Sequence, residues 1–110
     1  MPKYITYFSY TGQAAKAMIE HPSDRGAAAK ALVESLGGTM DAFYWMQGKH
    51  DGFLITNLAD GATAAALAAA VAATGAVGGL ETHQIFDHDE QAAIVKGAAT
   101  ARAAYRPPTA

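Results

Sequence analysis

Two histidines carry the proton-transfer chemistry open to this chain. His50 stands in QGKHDGFLI, between Lys49 and Asp51 and against an apolar run. An imidazole can act as a general base near neutral pH, and a carboxylate can orient it. Adjacent residues of a strand face opposite sides, so Asp51 holds His50 only where a turn distorts the pleat. Otherwise Asp51 binds backbone amides of the turn, as aspartate does readily, and His50 is solvated. His83, in LETHQIFD, falls between Glu81 and Ile85 on one strand face. A neighbouring strand would bring Tyr7 or Ser9 beside it, and an imidazole near hydroxyls in an apolar pocket suits proton transfer. The plainer places for His83 are a contact between copies or the solvent boundary.

Other groups suit binding. Tyr44 and Trp45 offer amphipathic aromatic area for a flat organic ligand, and serve equally well as core or interface. Arg25, in the first turn of a helical segment, meets the unfavourable end of the helix dipole. It finds use in a surface salt bridge to Asp41 or Asp51, or on an anionic ligand. The run DHDE, Asp87 to Glu90, holds metal-type ligands, but consecutive residues rarely converge on one ion and helix capping accounts for Asp87 and Glu90. No metal site and no cofactor are expected. The glycines around Gly78-Gly79 lack the Lys-Ser/Thr of a phosphate loop, and no serine-triad signature occurs.

Bulk properties set the frame for these residues. The 110 residues, 51% of them hydrophobic, suffice for one core, although alanine supplies much of the apolar count. A formal net charge of −2 with no basic block argues against nucleic acid. No apolar run reaches the roughly 18 residues of a membrane span. The start MPKYITYF lacks the order of a signal peptide, and no cysteine is present, so a cytoplasmic location is expected.

Four segments have strand composition: Lys3 to Tyr10, Thr39 to Gln47, Gly52 to Leu58, and Leu80 to Asp87 opened by Gly78-Gly79. The second and third form a hairpin across Gly48–Asp51. Helical patterns fill the gaps. A short one ends at Pro22. The next has Ser23 as N-cap and Gly37-Gly38 as its stop. A third is capped by Asp60, with Leu67 and Val71 toward the sheet. The last is opened by an Asp87–Glu90 capping box, and residues 106–110 form a frayed tail after a single domain spanning 1–105. The order predicts an α+β, ferredoxin-like βαββαβ fold, an antiparallel sheet with helices on one face and an extra C-terminal helix.

Both faces of that sheet are apolar. Tyr4, Thr6 and Phe8 oppose Ile5, Tyr7 and Ser9, while Leu54, Thr56 and Leu58 oppose Phe53 and Ile55. Ala42, Tyr44 and Met46 oppose Phe43 and Trp45. A face left to water should be polar. The uncovered face is therefore expected to pack on its copy in a homodimer.

The stretches YFSYTGQAAKAM, HPSDRGAAAKALVESLGG and FYWMQGKHDGFLI resemble the GYD-domain proteins, small bacterial proteins of the dimeric α/β-barrel superfamily. The resemblance runs from about Tyr4 to Phe86. The Gly-x-Tyr-Asp signature reads Gly48-Lys49-His50-Asp51 here, with His50 where the family has tyrosine. The resemblance places Arg25 in the family pattern and implies a dimeric barrel, but no established activity. Superfamily pockets lie between sheet and helices, and alanine-lined helices can leave a cavity there. The expected function is a homodimer binding a small apolar or aromatic molecule at that place. Candidate ligand contacts are Tyr7, Ser9, Trp45, Arg25 and Asp51, with His50 and His83 nearby. The alternative is a cofactor-independent monooxygenase or isomerase with His50 or His83 as base, and a third reading is a structural or stress-related dimer without a ligand.

Overall fold

Alternate residues of KYITYFSY differ in exposure: Tyr4, Thr6 and Phe8 are buried, whereas Ile5, Tyr7 and Ser9 are only half-buried. This period of two makes the segment strand β1 (Lys3–Tyr10) in the computed structural model, which describes residues 1–109. The remaining elements follow in the order α1 (Gly12–Glu20), α2 (Arg25–Ser35), β2 (Thr39–Trp45), β3 (Gly52–Asn57), α3 (Gly61–Ala72), β4 (Val77–Ile85) and α4 (His88–Ala104). The strands form one open sheet in the order β2-β3-β1-β4, and every neighbouring pair is antiparallel. This is the ferredoxin-like arrangement.

Local capping chemistry explains where the helices begin. Thr11 caps α1 by accepting from Ala14 N, and Asp60 accepts from Thr63 N at 2.9 Å to start α3. At α4 the Asp87 carboxylate takes the Glu90 N–H at 2.7 Å while Glu90 reaches back to the Asp87 N–H, completing the capping box. The cap of α2 is Asp24 rather than Ser23, because the Asp24 carboxylate reaches Ala27 N at 2.9 Å. Strand limits also move: β3 ends at Asn57 rather than Leu58, and β4 ends at Ile85 rather than Asp87. β2 stops at Trp45, where the hairpin turn begins, and β4 starts at Val77, so Gly78-Gly79 lie inside it. β4 lies at the sheet's edge, and nothing stands within 4 Å of where a Gly79 side chain would lie, so a larger residue would fit there.

The core lies between the sheet and α2 and α3. Tyr4, Phe8 and Leu54 from the sheet and Leu58 just beyond β3 meet Val33 of α2 and Leu67 of α3, all buried. Thr6 and Thr56 share this buried face, and Thr6 satisfies its hydroxyl against Thr82 across the β1–β4 ladder at 3.0 Å. Helices α1 and α4 bury no residue. The Cα radius of gyration is 17.7 Å, against about 13 Å for a compact chain of this size, and the longest dimension is 60 Å. With every residue of α4 exposed, that helix is the element that stands clear of the packed body. Beyond it, residues 105–109 carry neither helix nor strand; of the expected tail, residue 110 lies outside the described residues. No helix among the described residues is long and apolar enough to cross a membrane.

Candidate functional site

The β2–β3 hairpin fixes the site's geometry. Met46 N donates to Asp51 O at 2.8 Å and closes the turn, and Gly48 adopts φ +123°, a conformation that side chains disfavour. The turn then leans on the end of β1. Asp51 N donates to Phe8 O at 2.8 Å, and the Asp51 carboxylate accepts from Tyr10 N at 2.7 Å. Asp51 therefore binds backbone, as its chemistry favours, but the backbone of β1 rather than of its own turn. It does not hold His50.

His50 goes to the sheet face that the helices leave open. Its ring lies 5.3 Å from that of Tyr7, and Nδ1 lies 3.2 Å from Ser9 Oγ. Ser9 gives its hydroxyl proton to Lys49 O, also at 3.2 Å, so the Nδ1–H of His50 is the donor to Ser9 and Nε2 is left free. His83 pairs with Ile5 across the ladder and sits diagonally from Tyr7, with ring centroids 6.4 Å apart. Its Nε2 is 3.2 Å from Glu81 Oε2, and this bond is the main cause that lowers the Glu81 carboxyl below its ordinary value, with the charges of His83, His50 and Lys49 adding to it. Tyr7 also packs beside Phe53, and Phe53 stacks on Tyr44 at 5.5 Å. The open face thus carries an aromatic and imidazole belt across all four strands.

The helix side holds a different feature. Between the sheet and helices α2 and α3 lies a cavity of about 230 Å³. Its walls are Phe8 and Phe43, the aliphatic chains of Leu32, Leu54 and Leu67, and small α2 and α3 residues such as Ala29 and Ala70. The alanines leave space that longer side chains would fill. Tyr10 and Arg25 also line it. Trp45 stands against this group, its ring 5.7 Å from Tyr10 and 5.6 Å from Phe43, and is half exposed.

The sequence-predicted residues therefore divide between two faces. Arg25 lines the cavity, Trp45 borders its aromatic wall, and Asp51 supports Tyr10 from behind. Tyr7, Ser9, His50 and His83, expected between sheet and helices, lie on the opposite face. Both strand parities are apolar, so the pattern defines two faces without saying which one the helices cover. Arg25 does not pair with Asp41, which is taken by Lys3 and by Asn57 Nδ2 at 3.0 Å, nor with Asp51. Tyr10 and Phe43 were missed as lining residues. Their signal was parity: Tyr10 continues the Tyr4, Thr6, Phe8 series, and Phe43 opposes Tyr44. Among the described residues, no three His, Asp or Glu side chains come together to hold a metal ion.

Comparison with known proteins gives one positive result. A search of curated proteins returned no match. The family model described as the GYD domain matches residues 4–95, which takes in the sheet from Tyr4 onward, α1 to α3 and the hairpin with Gly48 and Asp51. Spanning most of its length in this way, the chain belongs to the GYD domain family.

Proposed function

We propose that this GYD-domain protein is a small-molecule-binding homodimer, each copy holding an apolar or aromatic molecule between its sheet and helices α2 and α3. The cavity carries the reading: an apolar space walled by Phe8, Phe43, Leu54 and Leu67, with a few polar groups at its edge, has the make-up of a ligand site. Dimer formation rests on the open face. Ile5, Tyr7, Phe53 and Ile55 are half-buried there, Tyr44 is 60% exposed, and a second copy placed face to face would cover them all. α4 offers the same copy further surface, since an isolated helix of this length is marginal in water. The absence of cysteine suits a cytoplasmic setting.

The placement of the imidazoles favours binding over catalysis. No histidine lines the cavity, so the cofactor-independent monooxygenase or isomerase reading has no base there. In that reading His50 Nε2 and His83 would act only in a space closed by the second copy. A thermal-shift screen with single-ring aromatic compounds tests the proposal, because a ligand for the folded state raises the midpoint. A rise that disappears when Ala70→Leu fills the cavity supports it. A response that survives the filling points to the open face, and no response leaves a dimer without a ligand.

A further inference from the structure

The cavity's polar edge selects among possible ligands. Four side chains with polar atoms line it: Thr6, Tyr10, Arg25 and Thr74. The two threonines are already engaged. Thr6 shares its hydrogen bond with Thr82, and Thr74 donates to Val71 O at 2.7 Å while accepting from Ala76 N at 3.2 Å. Tyr10 and Arg25 are not. Among the described residues, no hydrogen bond engages the Tyr10 hydroxyl, and no salt bridge or side-chain hydrogen bond engages the Arg25 guanidinium. No carboxylate lines the cavity, and Asp24, Asp41 and Asp51 are engaged elsewhere: Asp24 caps α2, Asp41 holds Lys3, and Asp51 holds Tyr10 N.

Both open groups are donors, and one is permanently charged. Arg25 also stands at the positive end of α2, where a cation is unfavourable for the helix itself and favourable for an anion brought to it. We infer that the cavity takes a small organic monoanion, an aromatic or aliphatic carboxylic acid whose ring or chain lies among Phe8, Phe43, Leu54 and Leu67 and whose carboxylate is held by Arg25 and the Tyr10 hydroxyl. A single arginine with no second lysine or arginine in the lining matches one negative charge better than the two of a phosphate monoester. This inference rests on the binding role of the cavity and adds the charge and head group of the ligand.

The test compares acids with their uncharged amides. Benzoate, 3-phenylpropanoate and hexanoate are titrated against benzamide, 3-phenylpropanamide and hexanamide, with phenyl phosphate as the dianionic arm. Calorimetry and the fluorescence of Trp45, the chain's one tryptophan, give the readouts. At least one acid should bind roughly tenfold more tightly than its amide, and Arg25→Gln should remove that difference between the two. Arg25 is exposed, so the apo variant should keep the parent's unfolding midpoint and far-ultraviolet spectrum. Equal binding of acid and amide, or acid binding unchanged in Arg25→Gln, overturns the charge assignment and leaves the apolar cavity in place. Phenyl phosphate binding more tightly than every acid overturns the monoanion assignment. Silence from all seven compounds overturns this inference together with the cavity's binding role.

Discussion

The Asp51 carboxylate accepts the backbone N–H of Tyr10 at 2.7 Å, tying the β2–β3 hairpin to a residue that lines the cavity. Asp51 N–H holds Phe8 O as well, so one residue clamps both sides of Ser9, just where the β1–β4 pairing shifts register. Two hydrogen bonds of Asp51 thereby join the hairpin to the strand that carries Phe8 and Tyr10 into the cavity wall.

Removing that clamp should be measurable. Asp51→Ala is expected to lower unfolding stability by about 1 kcal/mol, the typical worth of an exposed charge-assisted hydrogen bond, whereas Asp51→Asn keeps an acceptor and loses less. Urea denaturation of the three proteins checks this. Identical midpoints would mean the carboxylate supports nothing.

Gly52 lies in the same seam. A Cβ there would stand 2.5 Å from Phe8 Cζ and 2.5 Å from Tyr44 O, closer than atoms tolerate. Gly52→Ala should therefore cost about 1–3 kcal/mol by forcing Phe8 aside and distorting the cavity wall. A thermal midpoint equal to the parent's would show that Phe8 yields freely.

Acid should act through Asp41. Its bond to Lys3 holds the carboxyl below its ordinary value; partial burial opposes the shift, and the Asn57 amide and the Lys3 charge add to it. A lowered folded-state value means that the contribution is fully present above the unfolded value of about 3.9 and fades as pH falls through the lower folded one. The midpoint difference between parent and Asp41→Asn should accordingly be largest at neutral pH and shrink below about pH 4. A difference independent of pH would contradict the pairing.

Association is tested on the open face. Ile55 faces Ile5 across the ladder, half-buried in a single chain and central to the proposed contact. Ile55→Asp should weaken dimerisation by roughly tenfold or more without loss of strand signal. Sedimentation of the parent as a lone chain at micromolar concentration would remove the dimer.

What the residues disclosed on their own was mostly local. Asp60, and Asp87 with Glu90, announced their helices because a cap is decided within four residues. Ser23 and Asp24 are both good caps, one residue apart, and only the reach of Asp24 to Ala27 N separates them. Strand order followed from the sequence of elements and the hairpin. Which sheet face the helices cover did not, because Ile5, Tyr7 and Phe53 are as apolar a set as Tyr4, Phe8 and Leu54. That choice is tertiary, and it moved His50 and His83 away from the cavity. Tyr10 keeps the parity of Tyr4, Thr6 and Phe8 because the extra residue at the β1–β4 register shift, Gly78, is on β4.

Methyl and amide chemical shifts recorded while benzoate and 3-phenylpropanoate are titrated into the intact chain locate a bound molecule directly. The account predicts changes concentrated at Leu54, Leu67 and Val71, which line the cavity, with Ile5 and Ile55 on the other face unmoved. Changes centred on Ile5, Ile55 and the His50 and His83 rings, or none at any site, would contradict it.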